Sequence, residues 1–236
     1  MHAPSVDPIL AHSAVTFRGT RFVPDCGLRR PEEAPLIEAV VFDIGGVLVD
    51  VDFRRLYRDL LDEARIDWFL GSVVTRDWHR RHDAGYPMHQ GVADLIAEHP
   101  DHAELIAAWD DRFPDVWVGA QDDTVAIAMT LRARGLPLYL LSNWPGEKFP
   151  LARERFPFLD ELFDGQVISG YEGVVKPDAR IFEVLAQRYG LVPSRTVFVD
   201  DMPANASTAR DLGYRAIEFI GADRLRAELG ELGLVV

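Results

Sequence analysis

The stretch Val40-Val41-Phe42-Asp43-Ile44-Gly45-Gly46-Val47-Leu48-Val49 sets the terms for the rest of the chain. Its β-branched and aromatic run up to Phe42 predicts a buried central strand. A carboxylate then falls at the strand's carboxyl end, where open α/β sheets hold their ligands. Gly45 and Gly46 allow a tight turn there and a close approach of backbone N–H groups to an anion. An aspartate that only caps a turn after a core strand has the same local sequence, so later stretches must decide.

The first strand is expected over 37–43, and a helical pattern then persists through about residue 121. Asp52 is placed to cap a helix carrying Phe53, Leu56, Leu60 and Leu61 on one face. Trp68, Phe69, Val73 and Trp78 predict a second helix, broken at Gly85-Tyr86-Pro87. Val92, Leu95 and Ile96 predict a third, and Asp101 with Glu104 has the spacing of a capping box that opens a fourth. Helices between a strand and later strand–helix alternation read as an inserted cap.

From about Asp122 the alternation resumes. Strands are expected at 138–141, 166–168, 196–199 and 215–219, with helices between them closed by Gly135, Gly190 and Gly213. The fold class is therefore α/β: a Rossmann-like, doubly wound, mostly parallel sheet in three layers, with a small helical cap inserted. The expected division is an N-terminal extension over 1–36, a core of 37–52 and 124–236, and a cap of 53–123. Within the extension, alternation around Gly19 allows a small hairpin over 15–23 or a flexible tail.

Composition narrows the class. A chain of 236 residues, 48% hydrophobic, is long enough for one α/β core and a small second domain. A net charge of -13 argues against a nucleic-acid groove or an anionic membrane surface as partner. A lone cysteine, Cys26, excludes an internal disulfide framework and a cysteine-based zinc site. No apolar run is long enough to span a bilayer, and Met1-His2-Ala3-Pro4 lacks the basic-then-apolar layout of a secretory signal. A cytoplasmic protein is expected, as monomer or homodimer; tryptophan-rich cap helices would suit a dimer face.

Three strands end in polar residues: Asp43, Ser142-Asn143 and Asp200-Asp201. Lys176 precedes Pro177-Asp178 at the mouth of a helix. Carboxyl ends of adjacent strands lie about 5 Å apart, so these groups can converge on one small anion and one cation. Taken singly, Ser142 reads as a turn residue, Lys176 as a helix-end ion pair and Asp200-Asp201 as a helix cap.

In this order and context, Phe42-Asp43-Ile44-Gly45-Gly46-Val47-Leu48, Leu140-Leu141-Ser142-Asn143, Val175-Lys176-Pro177-Asp178 and Val199-Asp200-Asp201-Met202-Pro203-Ala204-Asn205 resemble the four motifs of the haloacid dehalogenase superfamily. The resemblance runs from about Ile37 to the C-terminus. It implies a Mg²⁺-dependent phosphatase of a small phosphorylated metabolite, with Asp43 as the nucleophile that forms an aspartyl intermediate. Asp43, the Gly45 carbonyl and Asp201 would hold the metal, with Asp200 close by or acting through water. Ser142, Asn143, Lys176 and the N–H groups of Gly45 and Gly46 would hold the phosphoryl group, and Asn205 would order the metal loop.

One departure from that pattern bears on mechanism. Phosphatases of the superfamily usually carry a second aspartate two residues after the nucleophile, as general acid and base, and here that position is Gly45. The missing acid suggests a substrate whose leaving group departs easily, such as an anomeric sugar phosphate; the motif also resembles that of the sugar-1-phosphatase-like branch, with Phe-Asp-hydrophobic-Gly. An acid borrowed from the cap is the other solution, with His79, His82 and Asp83 as candidates or else plain surface residues. Trp144, just after the second motif, is placed either to line the entrance or to pack.

Two other readings stay open. L-2-haloacid dehalogenases also lack the second aspartate, but they attack carbon without a metal and typically have a serine-rich fourth motif. Adjacent carboxylates at 200 and 201 would be costly there without a cation. The fold could also serve a non-catalytic module that binds a phosphorylated ligand. Phosphonatases need a cap lysine, and 53–123 contains none; phosphomutases depend on the missing acid and base.

Overall fold

The computed structural model describes Leu36–Val236. The extension over 1–36, with the hairpin considered for 15–23, lies outside the described residues except for Leu36.

Strand β1 (Ala39–Phe42) leads through the glycine turn to β2 (Val49–Val51). Helices α1 (Glu63–Ser72), α2 (Arg76–Asp83), α3 (Met88–Glu98) and α4 (Ala103–Asp111) follow, and the chain returns through β3 (Trp117–Ala120). Then come α5 (Asp122–Ala133), β4 (Leu138–Ser142), α6 (Phe149–Arg155), α7 (Phe158–Glu161), β5 (Gly165–Ile168) and α8 (Ser169–Glu172). The last elements are α9 (Ala179–Tyr189), β6 (Thr196–Asp200), α10 (Pro203–Asp211), β7 (Arg215–Glu218) and α11 (Ala222–Glu231).

β5, β4, β1, β6 and β7 form, in that order, a parallel sheet. All four residues of β1 are buried. Side chains of a strand alternate between faces, so Val40 and Phe42 join the core on one side of the sheet. Val41 joins Ile181, Phe182 and Phe198 on the other. A strand buried on both faces needs apolar residues at every position, which is why β1, β4 and β6 read as continuous apolar runs. The chain moves from β1 to β4 and β5 on one side, then crosses to β6 and β7 on the other. β1 is therefore the switch point, and its carboxyl end is where such sheets open a crevice.

The cap departs from the sequence pattern in four places. Asp52 does cap, accepting from Arg54 N at 3.0 Å, but only a 3-10 turn over Phe53–Leu56 follows. An aspartate bonded two residues ahead stabilises a turn in competition with a helix, and Leu60 is left exposed. The single helix expected across Trp68 and Trp78 is two, α1 and α2. Val73-Val74 separates them, and Thr75 Oγ1 accepts from Trp78 N at 3.2 Å to start the second. The Asp101–Glu104 capping box does not form; a 3-10 turn over Pro100–His102 leads into α4 without a side-chain cap. Finally, β2 and β3, which flank the cap helices in the chain, pair antiparallel as a two-stranded ribbon, unanticipated in a stretch read as helical.

Trp78 and Trp109 are buried inside the cap, so Trp68 alone of its helical tryptophans is exposed. Among the described residues, no helix is long and apolar enough to cross a membrane.

Candidate active site

Asp43 follows β1 directly and is 7% exposed. Its backbone N–H donates to the Val199 carbonyl at 2.9 Å, extending the β1–β6 ladder by one bond. Its Oδ1 accepts from Ile44 N at 2.7 Å, which fixes the carboxylate against the turn.

The two glycines then serve different ends. The Gly46 N–H donates to the Val49 carbonyl at 2.9 Å, so it closes the turn and is not offered to an anion. Gly46 has φ +78°, and a Cβ there would lie 2.5 Å from Asp201 Oδ2. Its missing side chain is what lets the Asp201 carboxylate reach the end of β1. Gly45 is open by contrast: a Cβ would meet only Val51 Cγ2 at 3.8 Å and Trp144 Cζ3 at 3.9 Å. Gly46→Ala should therefore cost about 1–2 kcal/mol from the left-handed backbone alone, plus the displacement of Asp201. A urea melt of the variant reads the loss, and an unchanged midpoint would show that the turn relaxes freely.

Lys176 is the centre of the polar cluster. Its Nζ donates to Asp200 Oδ2 at 2.6 Å and to the Leu141 carbonyl at 2.8 Å, and it lies 3.0 Å from Asp43 Oδ1. Three acceptors match the three donors of an ammonium. Burial works against the charge, yet Asp43 and Asp200 outweigh it and hold the lysine above its usual range. Asn143 clamps the lysine's backbone: Nδ2 donates to the Lys176 carbonyl at 3.0 Å, and Oδ1 accepts from Lys176 N at 2.8 Å. Both ends of that carboxamide engage the Lys176 backbone, so Asn143 positions the lysine while lining the same cavity as Asp43.

Asp200 is fully buried and accepts three hydrogen bonds. Besides Lys176 it accepts from Met202 N at 2.8 Å and from Asn205 Nδ2 at 2.9 Å. Asn205, near the start of α10, thereby ties that helix to the end of β6. Ser142, at the end of β4, is 1% exposed, and its Oγ has no hydrogen-bond partner among the described residues. A buried hydroxyl without a partner is costly, and this one lines the same cavity as Asp43.

Asp43, Asp200 and Asp201 offer carboxylate oxygens that all lie within 4.8 Å of one another. Against them stands one buried ammonium, so with all three ionised the cluster carries an excess of two negative charges. Burial drives the Asp43 carboxyl up to about 7; Lys176 opposes the rise while Asp200 and Asp201 add to it. Asp201 is raised too, by burial and then by Asp200. An all-oxygen donor set with this excess fits a hard divalent cation.

A cavity of about 550 Å³ opens over these groups, between the sheet and the cap. Its cap side includes Arg76, His79, Arg80 and Asp83, spaced as one face of α2. That polar stripe was present in the sequence as a signal for the cavity wall. Phe53, Phe113 and Trp117 add an aromatic wall that no local pattern announced. Trp144 lines the cavity while 5% exposed, so it both packs and faces the site. Of the three cap candidates, His82 is packed away: its ring lies 4.4 Å from that of Trp78, and Nδ1 is 2.9 Å from the Tyr86 carbonyl.

The family model of haloacid dehalogenase-like hydrolase matches residues 37–213. The chain belongs to the haloacid dehalogenase-like hydrolases. D-ribitol-5-phosphate phosphatase of Bacteroides thetaiotaomicron is 24% identical over 78% of this chain and 92% of its own length. The phosphorylated carbohydrates phosphatase of Thermotoga maritima is 24% identical over 84% and 94%. Mouse acyl-CoA dehydrogenase family member 10 is 38% identical over 43% of this chain, a match that spans 9% of that protein.

Solved structures share the fold. A family enzyme of Bacteroides thetaiotaomicron in complex with magnesium and inorganic phosphate aligns with TM-score 0.60 at 20% identity, covering 77% of this chain and 93% of that one. L-2-haloacid dehalogenase from Xanthobacter autotrophicus aligns with TM-score 0.57 at 17% identity, covering 85% of each.

Proposed function

We propose that this hydrolase is a Mg²⁺-dependent phosphatase of a small sugar or polyol phosphate, working through a phospho-aspartyl intermediate on Asp43. The observation that carries this reading is the carboxylate cluster of Asp43, Asp200 and Asp201 around one ammonium. Its uncompensated charge calls for a cation, and a dehalogenase site works without one. The names of the two full-length phosphatase relatives support the substrate class.

In this reading residues 53–123 form the cap that closes over the core. Asp43 and Asp201, with the Gly45 carbonyl and Asp200 beside them, would hold Mg²⁺, which would neutralise the carboxylates and the phosphoryl oxygens. Asp43 attacks phosphorus, and the bond to the leaving oxygen breaks. The Ser142 hydroxyl and the Gly45 N–H stabilise the phosphoryl oxygens as charge spreads over them, and Lys176 joins them with the donor that Asp43 gives up on bonding to phosphorus. Lys176 also keeps the nucleophile and the phosphate from repelling each other. The cavity's aromatic wall suits the C–H faces of a polyol and excludes water.

Phosphate release from ribitol 5-phosphate and p-nitrophenyl phosphate, run beside chloride release from L-2-chloropropionate, tests the reading. Phosphate release should require Mg²⁺, stop with EDTA and return when Mg²⁺ is restored. Mg²⁺ should also raise the melting temperature, and more at pH 8 than at pH 6. At the lower pH Asp43 takes up a proton that the cation must displace. Chloride release indifferent to EDTA would overturn the proposal in favour of carbon chemistry at Asp43.

A further inference from the structure

Two events in such a reaction need a group that gives and then takes a proton: departure of an alkoxide and attack of water on the phosphorylated aspartate. On the core side the carboxyls lining the cavity are Asp43 and Asp201, taken up in the phosphatase reading as nucleophile and metal ligand. Lys176 is bound to Asp200 and the Leu141 carbonyl and is held above its usual range. Gly45 and Gly46 carry no side chain at all.

The cap side presents Asp77, His79 and Asp83 from α2. Asp77 is exposed. His79 is enclosed by the rings of Phe53, Trp109 and Phe113, and burial, with the charges of His82 and Arg76, pushes it down to about 3. Near neutral pH it has no extra proton to give. Asp83 differs from both. It is 9% exposed, and its Oδ1 is buried without a hydrogen-bond partner among the described residues. His79 Nε2 stands 3.5 Å away, out of hydrogen-bonding geometry. Burial pushes the Asp83 carboxyl up to about 7, with the Asp43 charge across the cavity adding to the rise while Arg80 and Lys176 oppose it.

Docking of the cap holds Asp83 in this position. A Cβ on Gly85 would lie 2.9 Å from the Gly170 carbonyl, so the end of α2 rests directly on α8. Met88 N donates to Glu147 Oε2 at 3.0 Å, and the Arg80 guanidinium reaches the Lys176 carbonyl at 3.5 Å. These contacts bring an unpartnered carboxyl group to the wall facing the nucleophile.

We propose that Asp83, delivered from the cap, is the catalytic acid and base of this site; the proposal rests on the phosphatase reading above. As Asp43 bonds to phosphorus and the ester bond breaks, the leaving oxygen takes the Asp83 proton and departs as an alcohol. The Asp83 carboxylate then takes a proton from water as the water oxygen bonds to phosphorus. The bond to Asp43 breaks, inorganic phosphate leaves, and both aspartates return to their starting states.

Asp83→Asn keeps the side-chain shape and removes the transferable proton. Steady-state hydrolysis of ribitol 5-phosphate should fall by about 10²–10⁴-fold, the usual worth of general acid–base catalysis. The first turnover of p-nitrophenyl phosphate, whose leaving group needs no proton, should be nearly spared. The variant should then show a burst of p-nitrophenolate and accumulate acid-quenchable phosphoenzyme. Its melting temperature should hold, because the amide carries no charge to bury. A matching loss on both esters without a burst, with or without a lowered melting temperature, makes Asp83 structural and overturns its role while the phosphatase reading stands. Wild-type protein that releases phosphate from neither ester overturns both.

Discussion

Replacing Asp43 by asparagine should reduce phosphate release by a factor on the order of 10⁴ to 10⁶, the scale seen when a nucleophile is removed, while the protein stays folded. Asparagine preserves the shape, and its Oδ1 can still accept the Ile44 N–H that Asp43 accepts at 2.7 Å. That same Oδ1 lies 3.0 Å from Lys176 Nζ, so the lysine keeps its three acceptors and loses only the Asp43 charge. The variant also relieves a carboxylate that burial and its acidic neighbours disfavour. Its thermal midpoint should therefore match or exceed that of the wild type in the absence of metal. Phosphate release and a melting curve on the same preparation separate the two effects. Persistent phosphate release with an intact fold would mean that water attacks phosphorus directly and that Asp43 only supports the site.

The residues that could be placed from sequence share one property. Asp43, Ser142 and Asp200 each terminate a strand buried on both faces, so an unbroken apolar run points to them. Lys176 was accessible through the cap that follows it, since Asp178 Oδ1 accepts from Arg180 N at 2.9 Å to open α9. What sequence could not give was partnership across distance. An asparagine at a strand end looks the same whether it faces a ligand or, like Asn143, the backbone of Lys176. Gly46 looks like an anion cradle until Asp201 is seen against it. His82 and Asp83 are neighbours on one helix, about 100° apart around its axis. His82 meets Trp78 one turn back on the same helix, but only the docking of the cap against Gly170 decides that Asp83 meets the cavity. The β2–β3 ribbon is missed for a related reason: strands of three and four residues carry little local signal when the whole cap lies between them.

Lys176→Met tests the cluster from the opposite side to Asp43→Asn, and its expected cost is to stability as well as activity. Methionine has a similar reach but no charge, so Asp43 and Asp200 lose the ammonium that lies 3.0 and 2.6 Å from them. Removing one partner of a buried ion pair typically costs about 3–5 kcal/mol, because the other charge stays buried without compensation. The pH dependence follows from the sign of the shifts. A buried carboxyl with a raised folded-state value binds protons more readily folded than unfolded, so it favours the folded state as pH falls. Asp43 already sits at about 7 with Lys176 opposing the rise, and without the lysine it rises further. The stability deficit of Lys176→Met should therefore be largest at pH 8 and shrink toward pH 5, as the orphaned Asp43 carboxyl takes up a proton. Urea denaturation of metal-free wild type and variant at both values measures it. Mg²⁺ should recover part of the deficit at pH 8 without recovering turnover, since it supplies positive charge but not the lysine's contact with the phosphoryl group. A deficit that is flat with pH would instead trace the loss to packing around the Lys176 side chain, which lies 5.6 Å over the Phe198 ring, and would separate the lysine's structural role from its electrostatic one.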